Sequence, residues 1–158
     1  MYLQSSFEHM FAKSSPNCLN GCMKYLGIDY GTKRVGLATS DDGGLMAFPL
    51  RVLLNSRSLP AHISKICRDE KIGTIVVGES LNFQNKHNAI MGEIALFAEE
   101  IKTQSGLPLV FMNEVLSSRE AMHLQGDNDQ NDASAAAIVL QSYLDRINPP
   151  RDTAHEEV

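Results

Sequence analysis

Apolar positions change rhythm along this chain. Between positions 23 and 54 they fall in short runs broken by glycine and polar turns, the pattern of strands. Beyond position 58 they alternate between helical spacing and compact runs, the pattern of helices separated by buried strands. A first strand ends in Leu26-Gly27-Ile28-Asp29, a tight turn follows through Gly31, and Val35-Gly36-Leu37-Ala38 returns as a second strand, so the pair reads as a hairpin. Positions 46–54 read as a third strand, with Pro49 pointing to a sheet edge or a bulge.

The remainder alternates. Positions 58–71 carry Leu59, Ile63 and Ile66 at helical spacing, with Pro60 acceptable in a first turn. Thr74-Ile75-Val76-Val77-Gly78 has the continuous apolar character of a strand buried on both faces. Positions 88–104 align Ile90, Ile94, Phe97 and Ile101 along one helical face, and Gly106 stops that helix. Positions 107–112 predict another buried strand and 117–124 a short helix. A longer helix is expected over 133–147, ended by Asn148-Pro149-Pro150, with Ala133, Ala137, Leu140, Leu144 and Ile147 on its packed face. The sum is an α/β fold whose five-stranded mixed sheet has three antiparallel strands followed by two parallel ones, flanked by helices.

Acids recur at equivalent places in this pattern. Asp29 closes the first strand, Glu79 follows the fourth, Glu114 follows the fifth and Asp132 precedes the last helix. If the later strands run parallel to the first, Asp29, Glu79 and Glu114 emerge together at the carboxyl ends, the edge at which open α/β sheets bind ligands. Carboxylates gathered so closely need cations to stay ionised. Hard oxygen donors favour Mg2+ or Mn2+, and two such ions side by side suit phosphodiester hydrolysis. A plainer reading stands beside each residue: Asp29 as an Asx turn, Asp132 as a helix N-cap, Glu79 and Glu114 as solvated loop acids.

Composition narrows the classes. The 158 residues are 43% hydrophobic and 21% charged, an ordinary globular balance, and no apolar run is long enough for a membrane helix. A formal net charge of -5 argues against nonspecific coating of nucleic acid but leaves room for a local basic groove. Lys33, Arg34, Lys86 and Arg119 are its candidate cations, each with a solvated surface position as the alternative. Cys18, Cys22 and Cys67 make neither a disulfide framework nor a zinc site, which fits a reducing cytoplasm. Positions 1–22 lack core-forming periodicity and the features of a secretory signal, and are expected to be a weakly ordered leader. Positions 23–148 form the expected single domain, and 149–158 a flexible tail.

Two motifs, LGIDYGTKRVG at 26–36 and NDASAAAIVLQSYL at 131–144, together resemble the YqgF/RuvX family, described both as Holliday junction resolvases and as pre-16S rRNA nucleases. The resemblance runs from about position 23 to 144. It implies an RNase H-like fold and metal-dependent hydrolysis of nucleic acid, either pre-rRNA or branched DNA, by a monomer or homodimer. Asp29 matches the family's first-strand acid and Asp132 its last-helix acid. The chain departs from the pattern at Asn113-Glu114-Val115, where the family usually shows Asp-Glu-Arg, and at Gly78-Glu79-Ser80, where Gly-Leu-Pro is common. Glu79 therefore stands as a substitute second acid, at the place where the related RuvC resolvases carry theirs.

The resemblance implies Asp29 bridging two ions, with Asp132 on one of them and Glu114 or Glu79 on the other. A water activated there attacks phosphorus in line, and Lys33 and Arg34 position flanking phosphates. Two rivals remain at this stage. A phosphate-binding half of an actin-like ATPase shares the hairpin, but a single domain cannot close over a nucleotide. A noncatalytic nucleic-acid or ribosome-associated module of the same fold is the other, motivated by the altered run at 113–115.

Overall fold

The computed structural model describes residues 23–79, 87–113 and 129–149; at 79, 87–90, 113 and 129–131 it describes the backbone course. Five strands are present among them: β1 (Lys24–Tyr30), β2 (Arg34–Ser40), β3 (Ala47–Leu54), β4 (Ile72–Glu79) and β5 (Leu109–Asn113). The helices are α1 (Leu59–Asp69), α2 (His87–Ser105) and α3 (Asp129–Ile147). The strands lie in the order β3-β2-β1-β4-β5. β1 and β2 are antiparallel, as are β2 and β3, while β1, β4 and β5 run parallel. The sheet is thus the mixed one expected, with β1 at its centre and the carboxyl ends of β1, β4 and β5 at one edge.

Strand alternation sorts the core into two layers. Leu26, Ile28, Val35, Leu37, Ile75 and Val77 project to one face and pack with Leu59, Ile63 and Cys67 of α1 and with Ile94, Phe97 and Ile101 of α2. Ala38, Val76 and Met112 project to the other face and pack with Ala136, Val139, Leu140 and Leu144 of α3. Aromatic pairs sit on each side: Tyr30 with Phe97, centroids 4.8 Å apart, and Tyr25 with Tyr143, 5.8 Å apart.

Local chemistry explains most element ends. Pro60 occupies the first turn of α1, where its missing N–H costs nothing, and Gly106 adopts a φ of +68° just past α2. β3 is an edge strand, and its register with β2 shifts beside Pro49, so the proline does mark both an edge and a bulge. After β2, the Asp41 carboxylate accepts hydrogen bonds from the backbone N–H of Leu45 and Met46 at 2.7 and 3.0 Å, which holds its pKa below the usual carboxylate range.

Four boundaries or faces differ from the pattern reading. Asp29 does not end β1: Tyr30 still pairs with Val35, because the hairpin closes one residue further on. β5 starts at Leu109 rather than 107, since Pro108 has no N–H to give and instead offers its carbonyl to Ile75. α3 begins at Asp129, so Asp132 lies within its first turns instead of preceding it as an N-cap. Its packed face keeps Ala133, Leu140 and Leu144 and is widened by Ala136 and Val139, both fully buried, whereas Ile147 is 41% exposed at the helix end. The helix expected over 117–124 lies outside the described residues.

Candidate active site

Asp29 occupies the centre of the sheet near its carboxyl edge, paired across β2 with Gly36 and across β4 with Gly78. Residues directly opposite in an antiparallel pair project to the same face. That face belongs to α3. A Cβ built on Gly36 would collide with the Asp132 carbonyl, so the helix backbone fills the space a side chain would need. Gly27, deeper in the sheet, and Gly78, level with Asp29, repeat the arrangement: added Cβ atoms would stand 2.7 Å from Leu140 Cβ and from Val139 Cγ2. A seam of absent side chains therefore lets α3 lie close on the sheet and brings Asp132 beside the Asp29 position.

Hydrogen bonds at the far end of α3 hold that placement. Gln141 accepts from the Ala47 N–H through Oε1 at 2.9 Å and donates from Nε2 to the Leu45 carbonyl at 3.1 Å. Asn148 donates to the Gly44 carbonyl at 3.0 Å. The mouth of the hairpin is tied as well: Asn55 donates from its side chain to the Gly31 carbonyl and from its backbone to the Lys33 carbonyl, both at 2.9 Å. These two anchors were not apparent from the sequence, because each couples residues far apart along the chain.

The electrostatics centre on the two aspartates. Oδ1 of Asp29 is buried and takes no hydrogen bond among the described residues, although the residue as a whole is engaged in another contact. Asp132 is partly exposed and its Oδ2 lies 3.1 Å from Arg34 Nε, a charge-assisted contact across the top of the seam. Arg34 thus faces an acid of the site, while Lys33 is exposed in the turn.

Glu79 is the last residue of β4 and stands in backbone register with Asn113 at the end of β5. Both positions are at the same sheet edge as Asp29. Glu114, Lys86 and Arg119 lie outside the described residues. Among the described residues no group of three or more His, Cys, Asp or Glu is arranged to hold a metal ion. The part of the site that is described is a two-carboxylate arrangement of hard oxygen donors, which fits a divalent cation of the Mg2+ or Mn2+ kind and gives nothing to a softer one. A separate cavity of about 420 Å³, lined by Lys24, Asp42, Asp69, Glu70 and Lys71, opens at the amino end of β1 and takes in neither aspartate.

Comparison with known proteins is decisive on family. Residues 23–146 match the family described as "RuvX: Holliday junction resolvase". The chain belongs to that family. A relative from Nitratidesulfovibrio vulgaris, named "Putative pre-16S rRNA nuclease", is 37% identical over 126 residues, covering 78% of this chain and 85% of its own. A relative of the same name from Anaeromyxobacter sp. is 37% identical over 134 residues, covering 78% and 97%.

Among solved structures, Thermus thermophilus RuvC in complex with a Holliday junction substrate superposes with a TM-score of 0.56 at 18% identity. The match covers 80% of this chain and 96% of that one. At that identity the likeness shows the fold alone, which is the RNase H-like fold expected of this RuvX chain. Among its described residues no helix is long and apolar enough to cross a membrane.

Proposed function

We propose that this RuvX chain is a metal-dependent endonuclease that hydrolyses phosphodiester bonds in nucleic acid, with a precursor of 16S rRNA as its substrate ahead of branched DNA. The observation that carries the reading is the approach of α3 to Gly36, which sets Asp132 against the cross-strand partner of Asp29. Asp29 is partly exposed with its Oδ1 buried on this glycine-lined face, a position for a carboxylate that packing alone does not call for. The preference for rRNA rests on relatives of that name that are 37% identical over 78% of the chain.

In this reading Asp29 and Asp132 hold divalent metal, and Glu79 or Glu114 completes the set from the ends of β4 and β5. Bound metal supplies a water of lowered pKa and neutralises the charge that builds on the phosphate oxygens. Asp29 would hold the cation through its full negative charge, which therefore matters more than its shape. Lys33 at the hairpin mouth contacts a flanking phosphate and sets the register of the strand without reading its sequence. The anchors at Asn55, Gln141 and Asn148 keep the two aspartates at a fixed spacing while substrate binds, the condition under which positioning lowers a barrier.

Cleavage of an end-labelled RNA spanning the 5′ boundary of 16S rRNA, beside a synthetic four-way DNA junction, tests the reading. Mn2+ should support cleavage, EDTA should abolish it, and the RNA should be cut at least about tenfold faster than the junction. Asp29→Asn should lower the rate by orders of magnitude while leaving the circular dichroism spectrum intact, because the amide keeps the shape and loses the charge. Equal cleavage by Asp29→Asn and the parent would exclude the proposed role. Binding of RNA without any cation-dependent cleavage would favour the noncatalytic module that the altered Asn113-Glu114-Val115 run suggests.

A further inference from the structure

Resting on that functional reading, we propose that Arg34 is a displaceable counter-ion for the acid site: it holds Asp132 while no divalent cation is present and exchanges that carboxylate for a substrate phosphate when the cation enters. Three observations converge on it. Arg34 starts β2 two residues before Gly36, so alternation sets it on the same face as Gly36 and Asp29. Its Nε lies 3.1 Å from Asp132 Oδ2. Both side chains keep about a quarter to a third of their surface in solvent, 27% and 31%, so the pair sits at the rim of the site, where Arg34 is engaged in a further contact as well.

The chemistry makes the two roles exclusive in sequence. A hard cation binds a carboxylate oxygen at roughly 2.0 to 2.1 Å and brings two positive charges to the place the guanidinium occupies. Arginine and cation would share one small carboxylate only against strong like-charge repulsion. Once released, the guanidinium keeps its charge at any ordinary pH and carries a planar fork of donors matched to a phosphate. Its strand position is fixed by the hairpin that Asn55 anchors, so the release is a side-chain motion. The consequence is ordering: the metal-loaded site presents a cation to nucleic acid, and the metal-free site keeps that cation folded onto its own acid.

This assigns Arg34 a positioning role whose sign separates it from a merely structural one. Mn2+ binding to the full chain, measured by titration calorimetry, should be tighter in Arg34→Gln than in the parent by about tenfold, the scale of one charge-assisted hydrogen bond lost by a competitor. Arg34→Lys should fall between them. In EDTA, Arg34→Gln should melt below the parent, because the aspartates lose their counter-cation, and saturating Mn2+ should close that gap.

Binding of a short single-stranded RNA should be alike for the two proteins in EDTA, while Ca2+ raises affinity more for the parent. If Arg34→Gln binds Mn2+ more weakly than the parent, or equally, the exchange is wrong and the arginine only orients Asp132 or does nothing there. An equal gain of RNA affinity with Ca2+ would overturn the phosphate half of the exchange. If neither protein binds Mn2+, the metal reading itself has failed and the exchange falls with it.

Discussion

The two faces of the sheet are built from opposite materials. Toward α1 and α2, the central strands present Leu26, Ile28, Ile75 and Val77, all fully buried; toward α3, the alternate positions are Gly27, Asp29, Val76 and Gly78. Large branched side chains fill space and remove apolar area from water, which is where a small domain finds most of its stability. Glycines remove side chains so that a helix backbone can approach, at a cost in chain entropy and lost packing. One face therefore holds the fold together, and the other spends packing on placement. The candidate site is thus located by where the sheet is thin.

Substitutions on the two faces should fail in different ways. The largest loss of stability is expected for Ile75→Ala, which leaves a cavity in the layer that holds Leu26, Ile63 and Ile101; denaturant unfolding should show about 2 to 5 kcal/mol lost. Mn2+ affinity of the folded protein should be unchanged. Gly36→Ala should cost about 1 to 3 kcal/mol in unfolding from overpacking, because its Cβ meets the helix backbone and α3 must shift outward against its anchors. The same movement carries Asp132 away from Asp29, so Mn2+ affinity should fall at least about tenfold. Equal Mn2+ affinity in Gly36→Ala and the parent would break the contrast.

A smaller effect sharpens the description of the bulky face. Burial against that layer pushes the Cys67 thiol up from 9.0 to about 11. The neutral thiol is the form favoured in the folded protein, so its contribution is fully present below pH 9 and is lost as the pH rises through about 11. The stability difference between the parent and Cys67→Ala should accordingly narrow between pH 9 and 11. A pH-independent difference would mean that the thiol is wetter than its surroundings indicate.

Much of this was legible from residue pattern. Short apolar runs for the strands, helical spacing at Leu59, Ile63, Ile94, Phe97 and Ile101, the start at Pro60 and the stop at Gly106 set the element order, since each is a local property of the chain. The motif at 26–36 pointed to Asp29, and the one at 131–144 to Asp132. The glycine seam was present in the same letters, where Leu26-Gly27-Ile28-Asp29 alternates large and small, but its meaning depends on which helix lies above it. Asp132 read as an N-cap because the apolar pattern of α3 begins only at Ala133, while the helix starts at Asp129. The contact between Arg34 and Asp132 joins residues nearly a hundred positions apart, and no periodicity signals it.

Anomalous diffraction from crystals grown with Mn2+ is the sharpest check on a cation shared by the two aspartates, because it locates the ion independently of activity. The account predicts a peak on the glycine-lined face at the carboxyl edge of β1, within coordination distance of carboxylate oxygens from both Asp29 and Asp132. Arg34 should then have turned away from Asp132. A peak bound by Asp29 without Asp132, or ions found only at the cavity beside Lys24, Asp42 and Glu70, would contradict the claim that the glycine seam exists to build a metal site.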